Sequence, residues 1–259
     1  MEANKIIITG AATRMGAAIA KKLSGPGVEI VVHYNSSKSN AERLKKELNR
    51  NNTNVYLVKG DLSKEDDLKK ITKFAKSKLK YFDCLINNAS LFENDNLKNF
   101  TSKSWNDHLN INLKAPAYLT KEFAKNVRGK NNNIINIIDQ RVFKLTPFFF
   151  SYTLSKTGLY TLTKTSAMNL APNIRVNGIA PGPTIKNKRQ TDKHFKKQYL
   201  ATPLRHQVNI KDICNAVDFF IKNSSITGQV LAIDSGQSLN WQTPDIMRGK
   251  EWKKIISKS

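Results

Sequence analysis

Short runs rich in β-branched residues alternate with helical periods along almost the whole chain, and this alternation limits the fold more than any other feature. The runs fall at 5–9, 28–34, 55–59, 83–87, 133–138, 175–179 and 230–233. Helical spacing falls at 15–23, 39–49, 64–79, 103–127, 149–169 and 210–222. This is the pattern of a parallel sheet covered by helices on both faces. Right-handed crossovers then give a doubly wound α/β sheet of about seven strands, with its ligand crevice at the carboxyl ends of the strands. The 259 residues suit one domain, and a hydrophobic fraction of 39% is enough to bury such a sheet. Residues 184–207, flanked by Pro183 and Pro203, are polar and basic and read as a mobile lid or a pair of short helices.

Thr9-Gly10-Ala-Ala-Thr13-Arg14-Met15-Gly16 follows the first strand and opens the first helix. That context makes the segment a candidate dinucleotide site of Rossmann-like type. Gly10 permits a tight turn, Gly16 lets helix and strand approach, and the helix N-terminus offers amides to a pyrophosphate. The second strand ends His33-Tyr34-Asn35-Ser36-Ser37-Lys38, with no acid to hold ribose hydroxyls. Hydroxyls and a lysine favour a 2′-phosphate instead, so NADP(H) is expected rather than NAD. Ser36, Ser37 and Lys38 also suit simple capping of the next helix. Asp61 and Leu62 end the third strand, where an acceptor could meet an adenine amino group. Asn87-Asn88-Ala89-Ser90 ends the fourth and can hold backbone close to the cofactor.

Tyr152 and Lys156 lie one helical turn apart, on one face. An ammonium beside a phenol favours the phenolate, which would let the tyrosine exchange a proton nearer neutral pH. In a chain this rich in lysine, about one such pair arises by chance. Its weight comes from Asp139, 13 residues upstream, and from the company of the other motifs. As a plain structural residue, Asp139 would be a strand-end acid paired with Arg141 or a lysine.

Formal net charge is +23, from 43 Lys and Arg against 20 Asp and Glu. The lysines are spread along the chain rather than gathered into a stripe, and no nucleic-acid-binding motif accompanies them. No nucleic-acid partner is expected. No apolar run reaches the roughly 18 residues of a membrane span, so no membrane partner is expected either. Cys84 and Cys214 form no metal or redox spacing; with no room for a signal peptide before the first strand, they fit buried thiols in the cytoplasm. Residues 250–259 read as a frayed tail, and Trp241 as a packed side chain.

Taken together, Thr9-Gly10…Gly16, Asp61, Asn87-Asn88-Ala89, Asn112, Tyr152-x-x-x-Lys156, Arg175-Val-Asn-Gly178 and Pro181-Gly182 resemble the short-chain dehydrogenase/reductase superfamily over nearly the whole chain. The central glycine of that family's first motif is Arg14 here, its catalytic serine position holds Asp139, and Asn-Asn-Ala continues into Ser90-Leu91-Phe92. These departures resemble the pteridine reductase branch, including dihydromonapterin-reductase-type enzymes. The resemblance implies an NADPH-dependent reduction of a dihydropterin, with dihydromonapterin, dihydrobiopterin or dihydrofolate as substrates. It implies that Arg14 bridges cofactor phosphates and pterin, that Phe92 stacks on the pterin ring, and that Ser90 joins the substrate site. Asp139 and Tyr152 would handle the proton, Lys156 would hold the nicotinamide ribose, and Asn112 would support Lys156 through a water. Met15, Pro181 and Gly182 complete the implied cofactor contacts. The branch's arginine after His33-Tyr34 is replaced by Ser36, which shifts 2′-phosphate binding onto Arg14, Ser37 and Lys38. A homotetramer or homodimer is implied through the helices at 103–127 and 149–169. A carbonyl reductase acting on 3-oxoacyl thioesters or sugars is the alternative, and a non-catalytic nucleic-acid-binding protein a more distant one.

Overall fold

The computed structural model describes residues 4–130, 132–187 and 190–240. Trp241 and the segment 250–259 lie outside the described residues. Seven parallel strands form one sheet in the order β3-β2-β1-β4-β5-β6-β7. They are β1 (Lys5–Ile8), β2 (Glu29–Tyr34), β3 (Asn54–Lys59), β4 (Cys84–Asn87), β5 (Asn132–Ile137), β6 (Ile174–Pro181) and β7 (Val230–Ile233). Chain order reverses between β1 and β4, which opens a crevice above their carboxyl ends.

The strands separate two apolar cores by simple alternation. Ile6 and Ile8, with Ile30 and Val32, face one side; Ile7 and Val31 face the other. On the first side lie α1 (Arg14–Leu23), α2 (Lys38–Asn49) and α8 (Ile210–Lys222). On the second lie α3 (Glu65–Leu79), α5 (Ala115–Ala124) and α6 (Phe150–Leu170). Helix α3 opens on Glu65, Asp66 and Asp67 and closes on Lys76 and Lys78, matching the helix dipole. Cys84 and Cys214 are buried free thiols. Among the described residues, no helix is long and apolar enough to cross a membrane.

Two predicted elements differ. The helical period at 103–127 is not one α-helix. It begins as α4 (Ser102–Leu109), capped reciprocally by Thr101 and Ser104, widens into a π-helical turn at Asn110–Lys114, and resumes as α5. One extra residue per turn rotates Asn112 inward, where it is fully buried. In the expected lid, the described residues form a single helix, α7 (Asp192–Leu200), rather than a pair.

Candidate active site

The turn from β1 to α1 is built around His33. Gly10 takes φ +61° and its N–H donates to His33 Nδ1 at 3.1 Å. The other ring nitrogen, Nε2, then carries the proton and meets the Gly60 carbonyl at 3.0 Å. Burial pushes the His33 pKa below 6.5, which keeps the ring neutral and able to play both roles. His33 is 1% exposed, and its side chain braces the loop through both ring nitrogens. Tyr34 and Leu62, also expected at the cofactor, are packed into the two cores.

Asn88 fastens the loop to β4. Its Nδ2 donates to the Thr9 and Gly10 carbonyls at 2.8 and 3.2 Å, and Thr9 Oγ1 accepts from the Asn88 and Ala89 amides at 3.0 Å each. A Cβ at Gly16 would lie 2.5 Å from the Gly10 oxygen and 2.6 Å from Asn88 Nδ2. Thr13 occupies the N-cap of α1 without a side-chain cap bond, and the first turn carries no acid. Its amides are therefore left to an anion. Met15 packs against the core beneath. Arg14 holds a left-handed backbone, φ +54°, and its guanidinium donates to the Ile185 and Lys186 carbonyls at 3.1 and 3.0 Å. The structure thus seats Arg14 on the backbone following β6, a partner that local sequence patterns do not reveal. Pro181 ends β6, and Gly182 sits so close to Asp234 that a Cβ would reach its Cα at 2.6 Å.

Beyond β2, Asn35 and Ser36 are exposed, and Ser37 is the N-cap of α2 without a side-chain cap bond, so the capping role is not realised. Burial would raise the Asp61 pKa, but the Ser63 amide and hydroxyl, donating to Oδ1 at 3.0 and 2.8 Å, together with the charges of Lys64 and His33, hold it below the ordinary value. Asn35, Lys59, Gly60, Asp61, Lys64, Asp67 and Lys70 line a concavity of about 340 Å³. Lys59, Lys64 and Lys70 were not singled out from sequence. The signal was available for Lys59, since parallel pairing sets it opposite Tyr34.

The chemistry sits at the start of α6 and the end of β5. Tyr152 and Lys156 are 4% and 2% exposed. The Tyr152 hydroxyl donates to Asp139 Oδ2 at 2.7 Å, while Oδ1 accepts from the Arg141 amide at 2.8 Å and its Nη1 at 3.3 Å. The carboxyl is therefore in the crevice on the phenol and in an ion pair with Arg141 at the same time. Lys156 Nζ donates to the Ile137 carbonyl at 2.7 Å and lies 5.9 Å from the Tyr152 ring centroid. Burial lowers the Lys156 pKa from 10.5 to about 8. Burial raises the Tyr152 pKa well above its ordinary value, and the Asp139 charge and hydrogen bond raise it further. This reverses the expected sign. The carboxylate is the phenol's nearest charge, and the amine is turned to a backbone oxygen. Tyr152 is a protonated donor, not an incipient phenolate.

Asn112 ties the site together. Its Oδ1 accepts from Leu91 N at 2.8 Å and Ser90 Oγ at 3.2 Å, and its Nδ2 donates to the Leu91 carbonyl and Ser155 Oγ at 2.9 and 3.0 Å. Its direct partners are thus the 90–91 loop and α6, with Lys156 not among them. Phe92 stacks on Phe149 (centroids 4.6 Å apart, planes 7° apart) and meets Tyr152 edge-on at 4.6 Å. One face expected for a substrate ring is thereby taken by Phe149, a left-handed residue at φ +59°. Phe149 lies in a run of three phenylalanines, which gives no periodic signal. Arg141 was visible only as a partner for Asp139.

Comparison with known proteins agrees with this geometry. The family model described as short chain dehydrogenase matches residues 4–197. Among curated relatives, the 3-oxoacyl-[acyl-carrier-protein] reductase FabG of Staphylococcus epidermidis is 29% identical over 236 residues, covering 89% of this chain and 97% of the relative. FabG of Buchnera aphidicola is 30% identical, covering 89% and 95%. Among solved structures, FolM alternative dihydrofolate reductase 1 of Brucella canis, complexed with NADP, superposes with a TM-score of 0.90 at 40% identity, covering 95% of this chain and 98% of that one. The Brucella suis protein, also with NADP, gives 0.88 at 39%, covering 93% and 97%. With its crevice, its tyrosine–lysine turn and a family model spanning most of its length, the chain belongs to the short-chain dehydrogenase family.

Proposed function

We propose that this protein is an NADPH-dependent reductase that converts a dihydropterin to the tetrahydro form. One observation carries the reading: a carboxylate stands where the family places a serine, with its Oδ2 on the phenol at 2.7 Å. A serine hydroxyl suits a carbonyl oxygen. A carboxylate that both accepts from and recharges a phenol suits protonation of a ring nitrogen. The likeness to the two FolM proteins, each an alternative dihydrofolate reductase solved with NADP, supports the same reading.

The residues present fit the cofactor. The close-packed Gly10–Gly16 turn and the uncapped amides of α1 suit a pyrophosphate, and Lys156 suits the ribose. Ser37, Lys38 and the lysines lining the nearby concavity suit a 2′-phosphate. When bound, the nicotinamide supplies the hydride for a C=N carbon. Tyr152 gives its hydroxyl proton to the nitrogen of that bond, and Asp139 orients the phenol and recovers a proton for it from solvent. Asn112 holds the Ser90–Phe92 segment against the site. Leu154 and Met168, 41% and 74% exposed on α6, suit a contact between copies of the chain in a homotetramer or homodimer.

The test is NADPH oxidation followed at 340 nm over dihydropterins, dihydrofolate and 3-oxoacyl thioesters. Pterin turnover with weak ketoacyl turnover is expected, and Asp139→Ser lowers the former at least tenfold. Curated relatives named as 3-oxoacyl reductases make the carbonyl reductase the second reading. Strong ketoacyl turnover with no response to pterins establishes it instead.

A further inference from the structure

Among the described residues, Arg141 is the charged group in contact with Asp139 that neither the sequence motifs nor the family's tyrosine–lysine pair account for. It follows Asp139 in a 3-10 turn, Gln140–Val142, at the mouth of β5. Its side chain is only 15% exposed, and its Nε is buried without a hydrogen-bond partner among the described residues. An arginine placed there merely for solubility would turn outward and keep Nε hydrated. Instead the guanidinium lies inward, its Cζ 4.7 Å from the Phe149 ring centroid and 5.2 Å from that of Phe92.

We infer that Arg141 is a positioning residue for the proton transfer, holding the Asp139 carboxylate in the one rotation that presents Oδ2 to Tyr152. Two donors from the same residue, the Arg141 amide and Nη1, converge on Oδ1. A carboxylate otherwise rotates broadly about its last torsion. Fixing Oδ1 fixes Oδ2, and the phenol sits on it at 2.7 Å. The charge count gives the same result. When the phenol's proton leaves its oxygen and forms the N–H bond of the product, phenolate and carboxylate stand side by side. Two like charges at that range cannot both persist without a cation. The charged and titratable groups packed round the phenol are Asp139, Arg141, Lys156 and His108, whose ring centroid is 6.2 Å from that of Tyr152. His108 is already engaged by the Ser104 carbonyl and the Glu93 amide, and Lys156 by the Ile137 carbonyl. Arg141 is the cation in contact with the carboxylate.

The inference rests on the reductase reading, and the experiment separates the two. Tyrosine ring carbons are labelled with ¹³C at Cζ, and the Tyr152 signal is assigned with Tyr152→Phe. In Arg141→Gln that signal is expected to move, because the hydrogen bond from the phenol loosens, and Arg141→Lys should restore most of it. In an Asp139→Asn background, Arg141→Gln should leave it still. With whichever substrate the wild type reduces, Arg141→Gln should lower kcat at least tenfold, move the pH–kcat profile to higher pH by about one unit, and change the NADPH dissociation constant less than twofold. A Tyr152 signal indifferent to Arg141→Gln, or equal losses of kcat in both backgrounds, overturns the inference. Should Arg141→Gln not fold, Arg141→Met, which keeps much of the side-chain bulk without a donor or a charge, with and without Asp139→Asn gives the same comparison. A wild type that oxidises NADPH with neither pterins nor carbonyls overturns the functional reading, while the Tyr152 signal still decides the role of Arg141.

Discussion

Replacing Lys156 with methionine tests whether the site stores free energy in a buried amine. Lys156 is 2% exposed, and burial takes its pKa from 10.5 to about 8. A shift of that size is worth about 3 kcal/mol at ~1.4 kcal/mol per pH unit. The sign follows from proton counts. Between the two values the unfolded lysine holds a proton that the folded one has lost, so stability rises with pH across that window. Below about pH 8 both states are charged and the whole penalty applies. Lys156→Met keeps the length of the side chain and removes the charge. It also leaves the Ile137 carbonyl without its donor, a loss of about 1–3 kcal/mol that largely offsets the gain at neutral pH. Absolute stability is thus a poor readout, and the difference between variant and wild type across pH is a good one. Urea unfolding of the apo protein at about pH 7 and about pH 10 should show wild type gaining about 2 kcal/mol relative to Lys156→Met on the way up. Other groups titrate in both proteins and cancel. A difference that stays flat within about 0.5 kcal/mol would mean that the amine is hydrated in the folded state, and the stored-energy account would fail.

Tyr152→Phe removes the hydroxyl that donates to Asp139; a loss of about 10²–10⁴ in kcat is expected, with NADPH affinity nearly unchanged by fluorescence titration. Gly16→Ala forces a Cβ against the Gly10 carbonyl and the Asn88 amide, so NADPH affinity should fall at least tenfold and the melting temperature should drop.

The strands and the β1–α1 turn were legible because they depend on local pattern: continuous β-branched runs, and glycines where a turn needs them. Tyr152 and Lys156 were legible because helical spacing places them together. The charge state of Tyr152 was not, because i,i+4 spacing gives a shared face and no distance to Asp139, which arrives from the turn beyond β5. The role of His33 was hidden for the same reason: its partners, Gly10 and Gly60, are 23 and 27 residues away in sequence. The π-helical turn was also illegible. Apolar spacing over 103–127 reads the same whether or not one residue is added to a turn, and only the packing of Asn112 against Ser90, Leu91 and Ser155 selects it.

Arg14 spans from the first strand's turn to the chain beyond the sixth, so the two rims of the crevice are joined by one long side chain rather than by backbone pairing. An anion placed on the α1 amides would compete with the Ile185 and Lys186 carbonyls for the same guanidinium. Occupancy of one rim and release of the other are then linked by a single free energy, which each event must feel equally.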